Sequence, residues 1–273
     1  GNGNGSLIGG GRDGWAGLRG SFGTVALGFQ GRPWKTLSHA LDPFEGTIAD
    51  YSNVLGRGGE GDAGFDTGIG NSIIWFGPNL GGFTWHAQYG AEDSDGGANN
   101  FGLQGNYSND RFLVGASYDE NENTGAGGDD NTALKILGSV NFGNVTITGA
   151  YEQLEGVGFV NNADRDAFWL AGTVNLGHGS IRASFTAADD ADNATAAGGG
   201  GADQFSLGYF GDLSDNATWY VIYSQIDNDS NGNYGFRSDP STSSLDASLT
   251  GVQGEDSDAI AVGIKYNFAA DLI

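Results

Sequence analysis

Short runs of alternating apolar and polar residues recur along the chain, and helical periodicity is almost absent. From Ile260 to Phe268 every second residue is apolar (Ile260, Val262, Ile264, Tyr266, Phe268), with Ala261, Gly263, Lys265 and Asn267 between them. A period of two marks a strand with one oily and one wet face. The same pattern sets Phe83, Trp85, Ala87 and Tyr89 opposite Thr84, His86 and Gln88. It sets Phe101, Leu103, Gly105 and Tyr107 opposite Gln104 and Asn106. In all it predicts about thirteen strands, at 12–20, 23–30, 71–78, 83–90, 100–108, 111–119, 132–142, 145–153, 166–176, 179–187, 203–210, 217–226 and 258–268.

What the oily faces touch decides the class. The opposite faces carry Thr, Gln, Asn, Ser, Lys, Arg or Gly, which suits a water-filled interior better than a sandwich core. Aromatic residues stand at both ends of single strands, as in Phe83 with Tyr89, Phe101 with Tyr107, and Phe112 with Tyr118. Such pairs fit the two interfaces of a bilayer. Connections also alternate in length. Short turns at 21–23, 79–82, 109–110, 143–144, 177–178 and 211–215 contrast with long segments at 31–70, 91–99, 119–131, 154–165, 188–202 and 227–257. Short turns at one end and long loops at the other predict an all-β, transmembrane, antiparallel up-and-down β-barrel, one domain spanning 1–273.

Composition sharpens this picture. No apolar run approaches the roughly 18 residues a membrane helix needs, so strands must do the crossing. Net charge is −23, from 34 acids and 11 bases, which argues against a nucleic-acid partner and favours cations near the surface. Many acids fall in the long segments, among them Glu92, Asp93, Asp95, Asp129, Asp130, Asp189, Asp190, Asp192, Glu255 and Asp256. They offer oxygen ligands for loose Ca²⁺ binding, and no other cofactor or metal is expected. GGEGDAGFD (58–66) nearly matches a calcium-binding nonapeptide but has Ala63 where Asp is needed. The absence of Cys excludes disulfides and thiolate metal sites. His39, His86 and His178 are scattered, with no recognisable catalytic partner, so no enzyme is expected. The chain also lacks Met, even at position 1, and is expected to have lost a leading segment. Counting strands back from the last one puts 1–11 in an outer loop, with an odd number of strands missing before it.

RDGWAGLRGSFGTVALGFQGRPW (12–34), NSIIWFGP (71–78) and VGIKYNF (262–268) resemble, in that order, strands of the Gram-negative general diffusion porins. The resemblance implies a sixteen-stranded, trimeric outer-membrane barrel in contact with lipid and lipopolysaccharide, here without its first three strands. It implies passive passage of small hydrophilic solutes and ions, and the acidity adds an expected cation preference. The stretch 31–70 becomes the constriction loop, with a helix-compatible TLSHAL followed by DPFEG. By the same resemblance Asp42, Glu45 and Asp50 are expected on its lumen side, and Arg19, Arg32 and Lys35 on the opposing basic wall. Alternation alone turns Lys135, Arg182 and Lys265 into the lumen. Opposed charges would set a transverse field, screened over roughly 8–10 Å and so confined to the narrow point. Two departures from the family pattern are Phe29, where Arg is frequent, and AADLI after Phe268. A substrate-specific porin and a non-conducting surface or adhesin barrel are the alternatives.

Overall fold

The structure is a computed structural model that describes residues 14–57, 64–91, 99–122, 129–193, 199–236 and 251–267. Several expectations lie outside these residues: the outer loop at 1–11, the acids Glu92, Asp93 and Asp95, most of the 58–66 near-repeat, and Phe268 with the tail behind it.

Thirteen strands form one sheet. They are β1 (Trp15–Gly20), β2 (Gly23–Gly31), β3 (Gly68–Phe76), β4 (Phe83–Gly90), β5 (Asn100–Ser108), β6 (Phe112–Asn121), β7 (Asn131–Asn141), β8 (Val145–Glu155), β9 (Arg165–Asn175), β10 (Gly179–Ala188), β11 (Ala202–Ser214), β12 (Ala217–Asn228) and β13 (Ser257–Tyr266). Each pairs antiparallel with its neighbours in chain order, and β1 and β13 are the two edges. Boundaries move where pairing outlasts the alternation. The second strand bulges at Gly28 and continues pairing, which brings Gly68 and Ile69 into β3. Likewise Gly211 and Asp212 pair with Trp219 and Thr218, so β11 runs past its expected end.

The outward face is apolar and bare on strand after strand. Leu103, Val114, Ile136, Ile147, Leu170, Ile181 and Leu207 are all exposed. Soluble monomers rarely show an apolar surface this continuous, so it is the face that meets lipid. Register sorts the aromatics into two rows. Phe83 pairs with Tyr107, whose ring lies 5.8 Å from that of Phe112, at the short-turn end. Tyr89 pairs with Phe101 nearer the long loops. Six residues of strand separate the rows, about 20 Å at strand rise, on the scale of a bilayer's apolar band.

The inward face carries Gln88, Gln104, Asn106, Ser117, Asp119, Lys135, Thr148, Glu152, Gln204, Ser206 and Ser224, as alternation predicts. It is less uniformly polar than expected. Leu137, Leu154, Trp169, Ile222 and Ile226 also point inward, and all are buried. They are covered by the chain between β2 and β3, which folds across the interior and supplies Trp34, Phe44, Tyr51, Val54, Leu55 and Phe65 to the same clusters. This inner core draws the loop inward, since burying each large apolar side chain contributes about 1.5–3 kcal/mol before entropy is counted.

Candidate functional site

The inward loop begins with helix α1 (Pro33–Leu41), which contains the expected TLSHAL. Pro33 occupies the first helical turn, where its missing N–H costs nothing. The helix lies against β5, β6 and β7. Its close approach needs Gly102, because a Cβ there would stand 2.7 Å from the Pro33 ring. After a turn at 42–50 comes a 3₁₀ segment, Tyr51–Asn53, before the loop returns to the wall at β3.

Wall charges hold the two ends of this loop. Asp119 accepts a hydrogen bond from the Trp34 amide at 2.9 Å. The Lys135 ammonium donates to the Trp34 carbonyl at 2.6 Å and to Ser38 Oγ, and it sits 3.1 Å from the centroid of the Trp34 ring. Further along, Glu152 Oε1 accepts from the Gly56 amide at 2.9 Å while paired at 3.1 Å with Arg165. The middle of the loop meets a milder wall. Arg182 donates to the Pro43 carbonyl, Gln204 donates to the Ile48 carbonyl at 3.3 Å, and Phe44 and Ala49 pack on Phe210 and Ile222.

Within the loop Asp66 is a hub. It accepts from His39 Nε2 at 2.9 Å and from the Tyr51 hydroxyl at 3.0 Å, and pairs with Lys35 at 3.4 Å. His39 Nδ1 faces Glu45 Oε1 at 3.2 Å. With a carboxylate on each ring nitrogen, both nitrogens must donate, so the ring is an imidazolium. Burial disfavours that charge, but the hydrogen bond and the charges of Asp66 and Asp50 outweigh it and raise the His39 pKa to about 9. Burial likewise opposes ionisation of Asp66, yet His39, Lys35 and Tyr51 hold it well below the usual carboxylate range.

The expected acidic face of the constriction is assembled only in part. Glu45 is exposed and faces His39. Asp42 and Asp50 are buried instead, and they tie the loop's own turn. Asp42 accepts from the amides of Phe44 at 2.9 Å and Tyr51 at 3.2 Å, and Asp50 from Gly46 at 2.9 Å and Ser52 at 3.0 Å. Short Asp side chains commonly close turns this way. Burial, then the charge of Asp50, pushes Asp42 well above the usual range; burial, then Asp66, pushes Asp50 up.

The expected basic wall also differs. Arg32 and Lys35 belong to the loop itself rather than to a surface facing it. Arg32 is buried at the loop's root, donating to Asn100 at 3.0 Å and lying over the Phe65 ring. Lys35 is turned to Asp66. Arg19, paired with Thr24, shares the inward face and is exposed. Lys265, opposite Thr218, also faces inward and is exposed. Arg182 faces inward beneath the loop and stacks on Phe210 at 3.7 Å. Lys135 faces inward but is fully covered by α1, so it is an anchor and does not line open lumen.

Asp66, Asp119, Glu152, Arg165 and Tyr234 were not singled out by sequence reasoning. Charged residues on the wet parity of an alternating strand, as in SYDEN (117–121) and GAYEQLE (149–155), were the available signal for two of them. Among the described residues no group of three or more His, Cys, Asp or Glu is arranged to hold a metal ion.

The family model of the Gram-negative porins matches residues 1–231. Curated protein sequences give no match. Among solved structures, the anion-selective porin of Comamonas acidovorans superposes with a TM-score of 0.75 at 22% identity, covering 93% of this chain and 77% of that one. OmpT of Vibrio cholerae, in its trimer form, gives 0.63 at 18% identity over 92% of this chain and 79% of its own. OmpF of Salmonella typhi, in complex with daunomycin, gives 0.63 at 16% over 93% and 77%. An inside-out strand pattern, an inward-folded loop and the family match over most of the chain agree: the protein belongs to the Gram-negative porin family and is an outer-membrane β-barrel.

Proposed function

We propose that the protein is a passive diffusion channel for small hydrophilic solutes and ions, working as a homotrimer in contact with lipid and lipopolysaccharide, and that it catalyses no reaction. The observation carrying this reading is the loop from β2 to β3, which narrows the interior while staying bound to its wall. The proposed selectivity is a mild cation preference set at the outer mouth. At that rim Asp189, Asp190, Asp203, Asp227 and Asp229 line a depression of about 390 Å³, with Asp203 and Asp227 paired on the outward parity of β11 and β12, so their charge acts around the rim and not from the lumen wall. At the constriction itself Glu45 is offset by His39, and Asp42 and Asp50 are withdrawn, so the narrow point contributes little field.

A second reading, anion preference, draws support from Arg19 and Lys265 on the exposed inward wall and from the selectivity of the Comamonas acidovorans porin. Reversal potential across a planar bilayer in a KCl gradient separates the two. Cation selectivity that survives Glu45→Gln but weakens when Asp227 and Asp229 become Asn supports the first. A potential of anion sign, abolished by Arg19→Gln with Lys265→Gln, replaces it with the second. A folded barrel that passes no current removes the channel reading.

A further inference from the structure

Between β12 and β13 the chain turns back into the barrel at Tyr234, a residue with no exposed surface. One side chain makes three of the bonds that hold the turn, beside the backbone bonds from the Gly232 amide to Asp229 and from the Gly254 amide to Gly232. Asn228 Oδ1 accepts from the Tyr234 amide at 2.8 Å, and Asn228 Nδ2 donates to the Tyr234 carbonyl at 3.0 Å and to the Glu255 carbonyl at 2.8 Å. Both backbone groups of Tyr234 are thus held by a single amide, and its buried ring reaches toward the constriction loop.

The hydroxyl at the end of that ring meets two elements at once. It donates to the Arg57 carbonyl of the constriction loop at 3.2 Å and accepts from Arg165 Nη1 on β9. Arg165 is paired with Glu152, and Glu152 holds the amide of Gly56, the residue before Arg57. A closed circuit results: loop backbone, Tyr234 hydroxyl, Arg165, Glu152, loop backbone. Gly56 has φ +81°, and a Cβ there would stand 2.5 Å from the Trp34 ring, so only glycine fits this part of the loop.

We infer that Tyr234 is a positioning residue of the constriction, through which the segment following β12 helps to fix the width of the pore. The inference rests on the channel reading for its consequence and on the circuit for its mechanism. It assigns residues 229–236 on the outer side a part in permeation, because displacing them would withdraw the bond to the Arg57 carbonyl, which acts beside those that Glu152 and the Phe65 amide make to Gly56.

Tyr234→Phe keeps the ring and removes only the hydroxyl. Asn228→Ala keeps the whole of Tyr234 and releases its backbone. Both variants would be compared with the parent protein, folded in lipid, by hydrogen exchange of the 54–57 segment and by the cut-off for neutral polyethylene glycols in single-channel recordings. We expect about tenfold faster exchange, the scale for losing one buried hydrogen bond, with a larger cut-off and more conductance noise. Heat-modifiable gel mobility should stay unchanged in both. Unchanged exchange, or faster exchange with an unaltered cut-off, would overturn the assignment. A parent barrel without conductance would defeat the channel reading, while unchanged exchange alone would still defeat the circuit.

Discussion

Two sectors of one lumen wall hold the same loop by different chemistry. Strands β6 to β9 present Asp119, Lys135, Glu152 and Arg165, every one buried. Strands β10 to β12 present Ser184, Ser206, Ser224 and Gln204, with the apolar pair Phe210 and Ile222 and a half-buried Arg182. In the second sector the polar groups bond largely to each other: Gln204 donates to Ser224 at 3.0 Å, and the Ser206 and Ser224 hydroxyls lie 2.8 Å apart. The first sector grips backbone amides and carbonyls with fully buried ionisable side chains, and the second has one half-buried guanidinium, Arg182 on the Pro43 carbonyl, set among neutral groups. A charged grip is directional and costly to break on one side only, because the remaining charge stays buried without its partner. A mostly neutral seat tolerates small movements. The loop is therefore pinned at its ends and cushioned in its middle.

The largest effect should follow from breaking the charged grip. Glu152→Ala leaves Arg165 buried without its carboxylate and frees the Gly56 amide, for an expected loss of about 3–5 kcal/mol. Chemical unfolding in detergent reads the loss, and raised single-channel conductance reads the released loop. Gln204→Leu, in the cushioned sector, removes the bond to the Ile48 carbonyl and should cost about 1 kcal/mol or less. A Gln204→Leu loss equal to that of Glu152→Ala would erase the distinction between the sectors.

The smallest effect concerns pH and lies on the loop alone. His39 has a folded pKa near 9 against an ordinary value of 6.5. Its folded pKa is the higher one, so its contribution is complete below about 6.5 and fades as pH rises through about 9. Asp66 has a lowered pKa, so its contribution is present above its ordinary 3.8 and is lost only in strong acid. Loss of the His39 charge should therefore appear as a step in conductance and noise near pH 9. His39→Gln should abolish that step, whereas a step that persists in the variant would assign it to another group.

The barrel was legible in the sequence because alternation is a property of each strand by itself. The runs around Phe83, Phe101 and Ile260 needed no knowledge of their neighbours to reveal an oily face. Loop contacts were not legible in this way. Asp42 and Asp50 look like solvent-facing acids in the string, and it is the folded turn that brings the amides of Phe44 and Tyr51 to Asp42 and those of Gly46 and Ser52 to Asp50. Parity puts Lys135 on the inward face of β7, opposite Glu152. What parity cannot carry is that α1 would cover it. Arg32 and Lys35 follow the same rule, since residues one and four positions beyond Gly31, the end of β2, can sit on the loop or on the wall it faces.

The bonds that fix the loop join residues far apart in the chain. Trp34 to Asp119 spans 85 positions, Gly56 to Glu152 spans 96, Trp34 to Lys135 spans 101, and Arg57 to Tyr234 spans 177. Contacts of such separation form only after the intervening strands have been brought together. A growing barrel would thus be wide first and narrow last, with β12 in place before the final bond could close. The aperture is not inherited from any one hairpin; it is the product of a finished assembly.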